Sequence, residues 1–294
     1  MPNWNDVLAE VIATDPPLDK VRRKYLLKLS DHTGRNTIAY YSGFLQKPTV
    51  ANTQINDDDK NGFMATIHTL DRSKGLDLIL HTPGGDVAAT ESIVHYIQQM
   101  FGLDVRAIIP QIAMSAGTMI ACSCKEIIMG KQSNIGPIDP QFGGIPCYGV
   151  LDEFKRAVKE TKLDPSSIHI WQTVISKYHP TFIGECQNAI DLSSAIVRNW
   201  LAQNMLKDNT NPSDEAKYVV DQLSDHDGTK IHARHIHLEE AERLGLKIAK
   251  LEEDSELQDL VLTVHHAYMH SLANSNCVRI IENHLGRAIF YTEK

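Results

Sequence analysis

Leu76–Gly130 reads LDLILHTPGGDVAATESIVHYIQQMFGLDVRAIIPQIAMSAGTMIACSCKEIIMG. Three short aliphatic runs in it, Leu76–His81, Val105–Ile109 and Glu126–Met129, have the length and β-branched content of buried strands. After the first, Thr82-Pro83-Gly84-Gly85 breaks the chain, and Asp86–Phe101 follows with Val87, Val94, Ile97 and Phe101 on one helical face. Ser115–Cys122, made of small residues, predicts a short helix between the second and third strands. Strand–helix–strand–helix–strand with short turns predicts parallel crossover units.

Outward from that stretch the pattern is less regular. Asn3–Lys28 reads as helical with a break at Pro16-Pro17, and Thr37–Phe44 as a strand. Asn52–Lys60 is a polar loop leading into a helix that ends near Leu70. Beyond Gly149 the helical segments Leu151–Glu160, Ser166–Tyr178, Thr181–Leu206 and Asp214–Leu223 predict a helical insertion or lid. A helix over Leu238–Leu244, a strand over Lys247–Leu251, a helix over Ser255–Leu272 and an extended Val278–Tyr291 complete the chain. The expected division is 1–75 (N-terminal helices and first strand), 76–150 (core with the site loops), 151–230 (helical insertion) and 231–294 (completion of the core and oligomerisation elements).

The 294 residues, 42% of them hydrophobic, suffice for one large core. A net charge of −8 argues against non-specific binding to nucleic acid or an anionic membrane. No window approaches the roughly 18 apolar residues of a membrane span, and the start carries no apolar stretch of signal-peptide length. The five cysteines are scattered and odd in number, which predicts reduced thiols and a cytoplasmic protein. TPGGDV lacks the Lys-Ser/Thr of a phosphate-binding loop. His266 and His270 have the i, i+4 spacing of a ligand pair but no evident third ligand, so neither metal nor cofactor is expected.

The chemistry is expected in two loops that follow successive strands, His81–Asp86 and Gln111–Thr118, because ligands bind beyond strand C-termini in open α/β sheets. Gly84 and Gly85 permit a sharp turn and unobstructed N–H groups, which an oxyanion hole requires. Ser115 stands where a helix starts, next to small Ala116 and Gly117. Taken alone, Ser115 reads first as a helix N-cap; the glycine loop one crossover earlier shifts the balance, because the two together could supply a nucleophile and oxyanion donors.

These residues carry a resemblance. LILHTPGGDVAATESIVHYIQ, AMSAGTMIACSCKEIIMG and SNIGPIDPQ resemble the Clp protease and signal peptide peptidase superfamily. GPIDPQ, IHLEEAERLGL and AYMHSLANSNCVRIIENHLGRA are similar to the serine dehydrogenase proteinase family. The resemblance implies an α/β fold of Clp/crotonase type, a spiral of ββα units. It also implies a serine peptidase with Ser115 as nucleophile, oxyanion N–H groups at Gly85 and Ala116, and substrate contacts from Gly84, Asp86 and Met114. A crotonase-like acyl-CoA enzyme and a non-catalytic scaffold are the competing functions. The base stays open. Asp139 stands where Clp proteases carry histidine, and His232 stands near the place of their aspartate, so the two roles are interchanged; the alternatives are a Ser115–Lys155 dyad, or no base at all. Relatives of this fold assemble into rings or stacks. A homo-oligomer acting on peptide or protein substrates is therefore expected, with the apolar face Leu257, Leu260, Val261, Val264 and Tyr268 available for assembly.

Overall fold

The aliphatic runs form strands of one sheet whose two faces are both buried. The computed structural model describes residues 4–13, 17–224 and 234–293. In chain order the strands are β1 (Asn36–Ser42), β2 (Leu76–His81), β3 (Val105–Ile109), β4 (Ile112–Ala113), β5 (Glu126–Met129), β6 (Asn134–Ile135), β7 (Gln141–Phe142), β8 (Ile145–Pro146), β9 (Ile236–His237), β10 (Ile248–Lys250), β11 (Cys277–Asn283) and β12 (Ala288–Thr292). The helices are α1 (Trp4–Ala13), α2 (Pro17–Thr33), α3 (Asp59–Ile67), α4 (Val87–Phe101), α5 (Ala116–Ser123), α6 (Cys147–Leu163), α7 (Ile168–Ile175), α8 (Phe182–Gln203), α9 (Pro212–Leu223), α10 (Leu238–Arg243) and α11 (Ser255–Ala273).

The main sheet has the order β10-β5-β3-β2-β1-β11-β12. The strands from β10 to β1 run parallel, while β11 and β12 add an antiparallel hairpin at one edge. Side-chain alternation divides each strand between two cores. Ile38, Tyr40, Leu78, Leu80, Ala107, Ile109, Ile127 and Ile281 pack on one face with residues of α3, α4, α5, α8 and α9. Ala39, Tyr41, Ile79, Ile108, Ile128 and Ile280 pack on the other with α2 and α11. Each leucine or isoleucine side chain so enclosed contributes about 1.5–3 kcal/mol.

A short second sheet, β4-β6-β9, grows from the ends of the parallel strands. The helical segment after Gly149 has a small core of its own, Cys147, Val150, Cys186 and Ile190, closed by Phe154, Tyr178 and Phe182. The opposite rim of the sheet is tied by charge. Asp77, fully buried on β2, accepts from Arg35 at 2.8 Å and from Arg106 at 2.7 Å. Arg35 and Lys125 also reach Asp104.

One sequence expectation is corrected here. Val261, Val264 and Tyr268 belong to the core beneath the sheet, with Leu257 and Leu260 packed against it. That face of α11 is spent inside the protein and is not a surface for assembly. The segment after Val278 is a β-hairpin, turned at Gly286 with φ +80°.

Candidate active site

The two expected loops are joined by backbone. Thr82 N–H donates to the Ile112 carbonyl at 3.1 Å and Met114 N–H to the Thr82 carbonyl at 3.0 Å, a parallel bridge between Thr82 and Ala113. Gly84 N–H donates to Thr82 Oγ1 at 3.1 Å. Gly84 has φ +99°, and a Cβ there would lie 2.7 Å from Ser115 Cβ and 2.8 Å from the Met114 carbonyl oxygen. Glycine is needed both for the turn and for the close approach of the loops.

Gly85 is held from the other side by the polar stretch Asn52–Lys60. Ile55 N–H donates to the Gly84 carbonyl and Asp86 N–H to the Ile55 carbonyl, each at 2.9 Å. These bonds use the groups flanking Gly85, so its own N–H stays out of the bridge. The Ala116 N–H is the first amide of α5, where no intrahelical acceptor exists.

Ser115 precedes α5 with φ +50° and ψ −115°. An L-residue with a side chain visits that conformation rarely, at a cost of about 1–3 kcal/mol. The surroundings impose it: Gly117 N–H bonds the Met114 carbonyl at 2.8 Å and Met119 N–H the Ser115 carbonyl at 3.0 Å. The Ser115 side chain makes no capping hydrogen bond, so the N-cap alternative does not account for this serine. It is half-buried and opens into a cavity of ≈ 490 Å³.

The cavity has Gly85 and Ser115 at one side, with Met119, Ile138, Phe142 and Leu192 supplying apolar wall. Phe142 belongs to the β7–β8 hairpin, which turns at Gly143 and Gly144, and its ring stands 5.8 Å from that of Phe182 on α8. The volume falls in the usual range for small-molecule and side-chain pockets. Sequence reasoning missed these wall residues. The Gly-Gly at 143–144 was a turn signal; nothing local pointed to Leu192.

The other expected site residues are distributed as follows. Asp86 lines the cavity while its Oδ1 caps α4 by accepting from Ala89 N–H at 2.7 Å. The Met114 side chain packs on Gly136 instead, where a Cβ would meet its Cε at 2.5 Å; it is not part of the cavity wall, whereas Met119 is. Asp139 is 4% exposed, between cavity-lining Ile138 and Pro140. Burial, then the neighbouring Cys186 and Asp139, push the Cys147 thiol up to about 12. His232 lies outside the described residues. Lys155 is not brought to the site: its side chain is 75% exposed on α6 and pairs with Asp152 at 3.0 Å. That solvated position lacks the desolvation a lysine base requires.

A strained serine at a helix start, facing a Gly-Gly loop across parallel strands, is an arrangement found in serine hydrolases. The chain belongs to the family of ClpP-like SDH-type serine proteinases, which it matches over residues 18–283. It is similar to two uncharacterized proteins of Methanocaldococcus jannaschii. One is 28% identical over 214 residues, covering 73% of this chain and 65% of the relative. The other is 36% identical over 102 residues, 35% of each chain. The match thus spans less than two thirds of either relative's own length. Among solved structures, a mutant of the membrane-bound stomatin-specific protease 1510-N is similar with a TM-score of 0.41 and 19% identity, over 70% of this chain and 79% of that one. No helix among the described residues is long and apolar enough to cross a membrane.

Proposed function

We propose that this protein is a serine peptidase that cleaves peptide bonds through an acyl-enzyme on Ser115. The observation that carries the reading is the Ser115 side chain itself, held on a strained backbone at the cavity and engaged in no cap. Ser115 Oγ attacks the scissile carbonyl carbon, and its proton passes to a general base. The carbonyl oxygen becomes an oxyanion that the Gly85 and Ala116 N–H groups stabilise, aided by the positive end of α5. The amine leaves with the proton, and water then hydrolyses the ester.

His232 is assigned as the base and Asp139 as the carboxylate that orients it. The solvated pairing of Lys155 with Asp152 favours this choice over the dyad. The reading includes a cytoplasmic setting, with which the five free thiols agree, and a homo-oligomeric assembly. A fluorophosphonate probe tests it: the wild-type protein should be labelled at Ser115 and Ser115→Ala should not. Undiminished labelling of Ser115→Ala, or an inert wild type, would overturn the assignment.

A further inference from the structure

Ile55 holds the Gly85 loop, yet Ile55 sits in a polar stretch, Asn52–Asp58, in which no other residue is buried. Such a segment has little apolar surface with which to anchor itself. Its anchorage comes from behind, from the main sheet. Arg279 on β11 donates from Nη1 to the carbonyls of Asn52 and Gln54, the latter at 2.9 Å. Ser42 on β1 donates from Oγ to the Thr53 carbonyl at 2.6 Å. Three consecutive carbonyls are therefore captured by two side chains.

Those two side chains act from one place. Ser42 and Arg279 are cross-strand partners in the β1–β11 register, so both leave the sheet on the same face. Both are buried, Ser42 completely. The guanidinium is fixed in turn. Its Nε lies 3.0 Å from Asp59 Oδ1, and its plane stands 4.5 Å from the centre of the Tyr291 ring. Asp59 Oδ2 accepts from Tyr40 Oη at 2.9 Å and from Asn56 N–H at 3.0 Å. A planar fork of donors suits two carbonyls and a carboxylate at once, which an ammonium does not.

We propose that Ser42 and Arg279 are positioning residues for the oxyanion hole. They fix residues 52–54, the backbone of Ile55 then fixes Gly84–Asp86, and the Gly85 N–H is aimed as a result. The proposal rests on the reading of Gly85 as an oxyanion donor. It places the control of that donor on the antiparallel hairpin edge of the sheet, 194 residues away in the chain (279 − 85 = 194). Neither side chain lines the cavity, so neither touches substrate itself.

The test uses Ser42→Ala, Arg279→Lys and the charge-free pair Arg279→Met with Asp59→Asn, in the full chain. Four quantities are read: fluorophosphonate labelling rate, kcat and KM on a peptide substrate, and hydrogen exchange of the Asp86 amide. We expect exchange at Asp86 to rise at least about tenfold. Labelling and kcat should fall on the order of tenfold to a hundredfold, with KM within about threefold of wild type. Ser42→Ala removes one hydroxyl and keeps the ion pair, so it carries the test if the arginine variants fail to fold. Wild-type labelling and kcat in Ser42→Ala and Arg279→Lys, with Ser115→Ala inert, would overturn the clamp and leave the peptidase reading standing. Faster Asp86 exchange without loss of kcat would overturn it as well, since the donor would then not depend on the clamp. An unlabelled wild type removes both readings together.

Discussion

Ile55 and Gly85 form a one-residue parallel bridge, closed by two 2.9 Å hydrogen bonds, that spans 30 residues of sequence (85 − 55 = 30) and backs the loop facing Ser115. A Cβ on Gly85 would lie 2.3 Å from the Ile55 carbonyl oxygen and 2.4 Å from its nitrogen, both backbone atoms with nowhere to move. Gly85→Ala should therefore break the bridge. We expect a loss of about 1–3 kcal/mol in chemical denaturation and on the order of a hundredfold in kcat/KM. A variant with the parental rate would show that the Gly85 N–H is not an oxyanion donor.

The backbone of Ser115 sets activity against stability. Its φ of +50° favours glycine, and the hydroxyl makes no cap that glycine would lose. Ser115→Gly should abolish hydrolysis and gain about 1 kcal/mol. That figure is strain relief of about 1–3 kcal/mol less about 0.5–1 kcal/mol of extra unfolded-state entropy. Ser115→Ala retains the strain and should be equally inactive and less stable than the glycine variant. Thermal melts of the two decide it; the reverse order of stability would mean the conformation carries no strain.

The base assignment separates cleanly in mutants. His232→Ala should cost several orders of magnitude in rate, and Asp139→Asn somewhat less, because the imidazole loses its orientation. Lys155→Ala should leave kcat unchanged, as an exposed side chain paired with Asp152 predicts. With histidine as base, kcat/KM should rise through about pH 6 to 7. An inactive Lys155→Ala beside an active His232→Ala would transfer the role to the lysine.

Acid should weaken the opposite rim of the sheet. The Arg35 hydrogen bond, helped by Lys125, holds the Asp104 carboxyl down to about 2, from 3.8. A folded-state value below the unfolded one means stability that is present above about pH 4 and lost as pH falls toward about 2. The side chain is 47% exposed, so solvent screening keeps the contribution under about 1 kcal/mol. Asp104→Asn should melt slightly below wild type at pH 7, and the gap should close as the pH falls toward 2. A gap independent of pH would show that the carboxylate charge contributes nothing.

What the sequence determined by itself was local. Leu76–His81, Val105–Ile109 and Glu126–Met129 are strands with the bounds their aliphatic runs predict, because burial on both faces of a parallel strand leaves a nearly continuous apolar signature, interrupted here by Asp77, His81, Arg106 and Glu126. The Gly84–Gly85 turn and the start of a helix after Ser115 were legible in another way: the left-handed φ of Gly84, which favours glycine, and small residues at a helix start are written at the position itself. What the tertiary structure decided was partnership. The bond between Ile55 and Gly85 is made by backbone, which every residue carries, so no side chain announces it. Arg279 reads as a charge in an apolar strand until the carbonyls of Asn52 and Gln54 are brought to it. The apolar face of α11 was misread for a related reason. Helical periodicity shows that a face is apolar or charged, but only packing settles whether solvent, a second chain or the protein's own sheet lies against it.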